Sequence, residues 1–323
     1  MITKAIKNFH KQFEYEPEIK NKEALKKSFS KFIIAGMGGS NLVPDLLRIR
    51  DPYIDIIIHK NYGLPKMSKQ ELEERLLIAS SYSGNTEETI DFLKQAISQK
   101  LSAAVVATGG QLIDLAKEYR LPHIQMPATG IQPRSAIGFN IKAIAKFIGR
   151  DDLLEELTEL TKLLKPEEFE KAGEELAKKL KGCAPIIYSS TENIGLSYIW
   201  KITFNETGKI PAFYNVLPEL NHNEMAGFNV KKSNQKLSER FYFIILKDVN
   251  DHPRVQKRME LTEKLYRERD LPVEVLTLRG SSIFHKIFNS LILADWTCYY
   301  TALQYNLEPE QEPMIEEFKR LIQ

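Results

Sequence analysis

The sequence is short of cysteine, of paired histidines and of charge of one sign, and each shortage closes a class of function. Of 323 residues two are cysteine. Cys183 ("KGCAPIIY") and Cys298 ("ADWTCYY") stand in apolar surroundings with no CxxC partner, so two buried thiols in a reducing compartment are expected, not a disulfide staple or a zinc site. The six histidines form no HxH or HxxxH pair, and no metal site is legible. Lys+Arg 45 against Asp+Glu 43 leaves a net charge of +2, which advertises neither nucleic acid nor an anionic membrane surface. The longest apolar runs, such as "FYFIIL", fall far short of the roughly 20 residues that cross a bilayer. The opening stretch "MITKAIKNFHKQFEYEPEIK" is charged throughout and has no secretory h-region, so a cytoplasmic protein is expected. The P-loop pattern G-x-x-x-x-G-K-[ST] is missing too, which argues against an NTPase.

What is present is the alternation of a parallel α/β protein. Short apolar runs at 31–36, 54–58, 76–79, 103–107 and 122–126 read as strands. Helical periodicity falls at 41–50, 85–100, 111–120 and 134–148. Residues 151–181 are charged and helical in period, with Pro166 splitting them into two helices. A second series follows, with strands at 185–190, 241–246 and 273–278 and helices near 192–207, 252–269, 281–305 and from 312. Two α/β halves are the simplest account: residues 1–150, carrying glycine- and hydroxyl-rich loops, and residues 151–323. "FIIAGMGGSNLVPDLL" and "PIIYSSTENIGLSYIW" share a strand, polar loop, helix layout, a weak internal match.

The first strand runs into "GMGGSN", Gly36 to Asn41. A dinucleotide site asks for G-x-G-x-x-G, but the third glycine position is Asn41, and the second strand ends in His59 and Lys60 where an acid should meet a ribose. After the third strand comes "SSYSGNTEET", residues 80–89, with six hydroxyl side chains and no lysine or arginine. Asn85 and Glu88 have the form of a capping box, so helix capping is one reading. The other is a phosphate cradle, in which hydroxyls and amides at a helix N-terminus hold an anion. Both loops emerge at the carboxyl edge of the sheet, where ligands bind, and their convergence favours the cradle. With no lysine in either loop, a sugar monophosphate suits it better than a triphosphate, which also recruits lysine and Mg²⁺.

"GMGGS", "SYSGNTEET", "QPRSAIGF" and "FNETGKIPAFYNVLPELNHNEMAGF" resemble, in order and over nearly the whole chain, the SIS-fold phosphoglucose/phosphomannose isomerase family of archaea and some bacteria. The resemblance implies two SIS-type, flavodoxin-like subdomains, each a parallel sheet flanked by helices. It implies an aldose–ketose isomerase, an intramolecular oxidoreductase moving a carbonyl between C1 and C2 of a hexose 6-phosphate through a cis-enediol, with no cofactor and no metal. By resemblance Glu206 in "FNETGK" is the base, its pKa raised by partial burial, and His222 in "PELNHNE", sixteen residues on, opens the ring. Asn221, Asn223 and Glu224 beside it are expected to orient the imidazole. Arg134 has a fixed positive fork that suits an enediolate or a sugar oxygen, and Lys319 would assist ring opening. Gly39, Ser40, Ser81, Ser83 and Thr86 would contact the phosphate, and Arg134, His222 and Lys319 the rest of the substrate. A homodimer is implied as well, with His222 reaching the partner's active site. The family approaches its C-terminal lysine through a stretch like D-P-T-P-V, whereas this chain has "EPEQEP", Glu308 to Pro313. That departure leaves the substrate range open, and two alternatives stand beside the isomerase: an enzyme for another, amino-sugar phosphate, and a non-catalytic sugar-phosphate sensor.

Overall fold

The computed structural model describes residues 2–25 and 27–322. Packing divides them into two units: Asn8–Leu164, and the chain from Lys165 onward together with the N-terminal segment up to Lys7. That segment is a single short helix, α1 (Ile2–Lys7). Lys7 Nζ lies 3.0 Å from a Glu170 carboxylate oxygen and over the Trp296 ring.

The first unit runs β1 (Lys31–Ala35), α2 (Val43–Arg50), β2 (Asp55–His59), α3 (Lys69–Glu73), β3 (Leu76–Ser80), α4 (Glu87–Ser98), β4 (Ala103–Ala107), α5 (Gly110–Glu118), β5 (His123–Gln125), α6 (Ile137–Ile148) and α7 (Asp151–Leu163). Its sheet has the order β2-β1-β3-β4-β5, every pair parallel, which is the flavodoxin-like order. β3 (LLIAS) and β4 (AAVVA) are buried at every position, as strands covered on both faces must be. Phe92, Leu93 and Ala96 of α4 and Leu112, Ile113 and Ala116 of α5 pack on one face of the sheet. The charged helix α7, read from sequence as the start of the second half, packs against α6 and the 3-10 turn Phe9–Glu14 through Leu153, Leu157 and Leu160. The packing boundary therefore falls after Leu164, because the apolar stripe of α7 faces this unit.

The second unit continues with α8 (Glu170–Lys179), β6 (Ala184–Ser190), α9 (Ile194–Glu206), β7 (Phe213–Leu217), α10 (Glu224–Gly227), α11 (Gln235–Ser238), β8 (Phe241–Lys247), α12 (Pro253–Arg267), β9 (Val273–Thr277), α13 (Ile283–Gln304) and α14 (Pro313–Ile322). Its parallel sheet has the order β7-β6-β8-β9, the order of the first four strands of the other sheet. Sequence periodicity does not show β7. It is an edge strand with Phe213 and Tyr214 exposed, lying between Pro211 and a cis Leu217–Pro218 bond. An aromatic cluster fills one face of this sheet: Phe243 stacks edge-on to Phe228 at 4.8 Å and to Tyr266 at 4.6 Å, with Tyr188 beside it. Among the described residues no helix is long and apolar enough to cross a membrane.

Candidate active site

In a doubly wound sheet a crevice opens at the carboxyl ends of the strands where the winding reverses. In the first unit that point lies between β1 and β3, and the two loops singled out by sequence flank it. The first forms a 3-10 turn, Gly38–Asn41, and the second runs from Ser81 to Thr86. They are hydrogen-bonded together: the Tyr82 N–H donates to Ser40 Oγ at 3.0 Å. Ser40 is 5% exposed and Ser81 2%, so these hydroxyls are built into the crevice wall.

The second loop owes its shape to Gly84. Its φ is +74°, and a Cβ there would stand 1.8 Å from the Gly109 carbonyl oxygen. Ser81 Oγ accepts from the Gly84 N–H at 3.1 Å and pairs with Thr86 Oγ1 at 2.8 Å, while Ser83 Oγ accepts from the Asn85 N–H. The capping box suggested by Asn85 and Glu88 does not form. The N-cap of α4 is Thr86, which makes no side-chain cap, and Asn85 Oδ1 turns instead to the Gln111 N–H. The capping box of this unit is at Ser68 and Glu71, on α3. The twelve-residue α4 thus begins without a side-chain cap, the kind of helix end that can bind an anion.

Arg134 lies half-buried on the 3-10 turn Pro133–Ser135 that precedes α6. This turn presses on the first loop: a Cβ on Gly39 would stand 2.8 Å from the Pro133 oxygen and 3.0 Å from Arg134 Cα. Gly39, Ser40, Ser81, Ser83, Thr86 and Arg134 therefore share one edge of one sheet. Two residues that sequence reading passed over organise it. Gln12, 4% exposed, donates to the Ser135 carbonyl at 2.6 Å and accepts from the Gly138 N–H at the start of α6. Asn140 accepts from Ser80 Oγ at 3.2 Å and donates to the Ser40 carbonyl at 3.4 Å. The signal for Asn140 was present, a polar residue inside the apolar run "IGFNIKAIAKFI".

The matching crevice of the second sheet, between β6 and β8, is closed by carboxylates. Ser190 Oγ donates to Asp251 at 2.6 Å, Asn193 Nδ2 donates to the same oxygen, and buried Lys286 pairs with Asp248 at 2.7 Å. Burial raises the Asp251 pKa above the ordinary carboxylate value. A cavity of about 540 Å³ opens nearby, lined by Arg279, Ser281, Ser282 and Lys286 among others. It contains none of the sequence-selected residues, and three of its polar side chains are engaged locally: Lys286 by Asp248, and both serines by His285. Among the described residues no group of three or more His, Cys, Asp or Glu side chains could hold a metal ion.

The remaining selected residues lie in the second unit. Glu206 is the last residue of α9 and is half-buried. The turn after it is tight: a Cβ on Gly208 would meet the Phe204 oxygen at 2.8 Å, and Lys209 takes a left-handed φ of +59°. Lys209 Nζ donates to the Glu206 carbonyl at 2.6 Å and also to the Gln311 carbonyl, which ties the "EPEQEP" segment to the turn bearing Glu206. Lys319 is exposed on α14, paired with Glu316 at 2.7 Å.

His222 ends the 3-10 turn Glu219–His222 after β7 and is exposed. The neighbours expected to orient its ring do something else. Asn221 bonds Thr262 and Arg258, Asn223 bonds Glu219 and the Glu224 N–H, and Glu224 accepts from Tyr188 and Asn215. Residues one or two apart on a helical turn point to different sides, so they hold the backbone rather than the imidazole. Burial is the main reason the Tyr188 hydroxyl titrates far above its ordinary range, and it pushes Tyr266 up to about 12.

The fold and the hydroxyl-lined crevice define a tandem SIS protein. In fold the chain is similar to the C-terminal domain of glucosamine-fructose-6-phosphate aminotransferase from Francisella tularensis, with a TM-score of 0.71 over 96% of each chain at 11% identity. The profile of the bacterial phospho-glucose isomerase C-terminal SIS domain matches residues 169–322. A bifunctional phosphoglucose/phosphomannose isomerase of Aquifex aeolicus is 30% identical, covering 98% of this chain and 97% of that one. Another, from Caldicellulosiruptor bescii, is 33% identical over 90% and 88%. The chain belongs to the bifunctional phosphoglucose/phosphomannose isomerase family.

Proposed function

We propose that this protein interconverts glucose 6-phosphate, and mannose 6-phosphate, with fructose 6-phosphate. The observation that carries the proposal is the crevice at β1 and β3, where Ser40, Ser81, Ser83 and Thr86 surround a helix end with no side-chain cap. Hydroxyls and helical N–H groups of this kind hold a phosphate monoester without a lysine. The Arg134 turn lies directly against the backbone of Gly39.

With the phosphate anchored, Glu206 acts as the base. Its carboxylate removes the proton from C1 of the open-chain ketose or C2 of the aldose. The C–H pair becomes the C1–C2 double bond of a cis-enediol, the carbonyl π pair moves onto its own oxygen, which takes up a proton, and the neighbouring hydroxyl gives one up as the new carbonyl forms. The same carboxyl then returns the proton to the other carbon. Arg134 offsets the charge on the enediolate oxygen, and His222 and Lys319 move the proton between ring oxygen and C1 hydroxyl when the ring opens. A proton transfer between adjacent carbons calls for neither metal nor redox cofactor. The half-burial of Glu206 at a helix end braced by Lys209 supports its role.

A homodimer in which His222 serves the partner's site goes with this reading. His222 is exposed, and α14 presents Met314, Phe318 and Leu321 at 80%, 62% and 80% exposure, an apolar stripe suited to a protein surface. A cytoplasmic setting goes with it too, since Cys183 and Cys298 are both unpaired thiols. The test of the base is Glu206→Gln, which should abolish turnover while fructose 6-phosphate still raises the melting temperature. Turnover near the wild-type rate would remove Glu206 from the role.

A further inference from the structure

The stretch "NHNE", residues 221–224, spends every polar side chain but one on its own support. Glu224 is the centre of that support. One carboxylate oxygen accepts from the hydroxyl of Tyr188, which is fully buried on β6, and the other accepts from Asn215 Nδ2 on β7. Both contacts are 2.5 Å. The Glu224 N–H is held by Asn223 Oδ1 at 2.6 Å, and Asn223 Nδ2 reaches back to Glu219 at 2.8 Å. On the other side of His222, Asn221 donates to Thr262 Oγ1 at 2.9 Å and accepts from Arg258. The one unsupported side chain is the imidazole, which projects from a turn pinned on both flanks to β6, β7 and α12.

We infer that Glu224 is a positioning residue for His222: clamped by Tyr188 and Asn215, it fixes the turn that presents the imidazole to substrate. The inference rests on the reading of His222 as a proton-transfer group. A group that must meet a ring oxygen within hydrogen-bond distance gains from a rigid mount, since a displacement near 1 Å can cost on the order of a hundredfold in rate. Tyr188 is well placed for this, because its ring is locked in the aromatic cluster with Phe243 and Tyr266. The buried Tyr188 hydroxyl is thereby one of the groups through which the core of the second unit holds the turn bearing His222.

The test is a double-mutant cycle on purified, folded enzyme with fructose 6-phosphate as substrate. Tyr188→Phe keeps the buried ring and removes only the donor to Glu224. It should lower kcat about tenfold with KM within about twofold, the pattern of a group misplaced in the transition state. Glu224→Gln, which turns an amide N–H toward one of the two donors, should give the same split. In the His222→Ala background neither change should lower kcat by more than about twofold, because their effect passes through the imidazole. An equal loss in both backgrounds, or no loss in the single variants, would overturn the inference. If His222→Ala alone keeps the wild-type kcat, both the reading of His222 and the inference fall.

Discussion

Gly39→Ala puts the geometry of the proposed phosphate crevice at risk with a single methyl group. The added Cβ would stand 2.8 and 2.9 Å from the carbonyl oxygen and carbon of Pro133 and 3.0 Å from Arg134 Cα, against an ordinary contact of 3.4–4 Å. All three neighbours are backbone, so no side chain can swing aside, and the Pro133–Ser135 turn must retreat by about half an ångström. That turn is held by Gln12, whose Nε2 donates to the Ser135 carbonyl at 2.6 Å, so retreat strains the bond. Forcing a methyl into a filled contact of this kind costs about 1–3 kcal/mol. At about 2–4 °C per kcal/mol for a unit of this size, the melting temperature should fall by several degrees. Arg134 moves with the turn, so kcat/KM for fructose 6-phosphate should drop by about tenfold, half the logarithm of a full ångström's loss. The assay is a thermal melt and a steady-state titration on the same preparation. Wild-type melting together with wild-type kcat/KM would refute the claim that the first loop and the Arg134 turn are in structural contact.

Two other expectations test separate links. If His222 serves the partner subunit, mixing Glu206→Gln and His222→Ala chains and allowing them to reassort should restore about a quarter of wild-type activity, since half the dimers then hold one complete site of two; activity no higher than either parent would place both residues in one subunit's site. The second concerns acid stability. Hydrogen bonds from Arg150 hold Asp51 and Asp152 below the ordinary value of 3.8. The folded state therefore favours their ionised forms, and this stabilisation is full above about pH 4 and lost as pH falls through the depressed values. The pairs are partly exposed, so they contribute no more than about 1 kcal/mol. Arg150→Gln should lower the melting temperature slightly at pH 7, and the difference should shrink as the pH falls through the depressed values of the two carboxyls; a difference undiminished in acid would show that the ion pairs are not its cause.

Much of this was legible in the sequence for reasons that can be traced. The strand β4 is an unbroken apolar pentad and β3 is four apolar residues closed by the buried Ser80, the pattern of strands covered on both faces. Loops flanking a switch point can be picked out because strand, glycine-rich turn and helix recur in order. What escaped was whatever depended on direction in space. The edge strand β7 exposes Phe213 and Tyr214, so its pattern carries no burial signal. The charged face of α7 reads as a linker, while the partner of its leucine stripe is settled only by packing. Asn85 and Glu88 have capping-box spacing, yet Asn85 is drawn to Gln111, twenty-six residues away. Likewise "NHNE" reads as one polar cluster, but three of its four side chains bond to their own surroundings as struts. Lys209 meets Gln311 only in three dimensions, and with it "EPEQEP" becomes part of the surroundings of Glu206.

The central claim is that a sugar phosphate held by Ser40, Ser81, Ser83 and Thr86 is isomerised between C1 and C2. The most direct measurement gives the purified protein fructose 6-phosphate with EDTA present and scores glucose 6-phosphate and mannose 6-phosphate separately. The account predicts both products, their ratio reporting how "EPEQEP" shapes the sugar end of the site, and no turnover by Glu206→Gln. Thermal stabilisation by fructose 6-phosphate without either product would contradict it and leave a sensor, or an enzyme for another sugar phosphate.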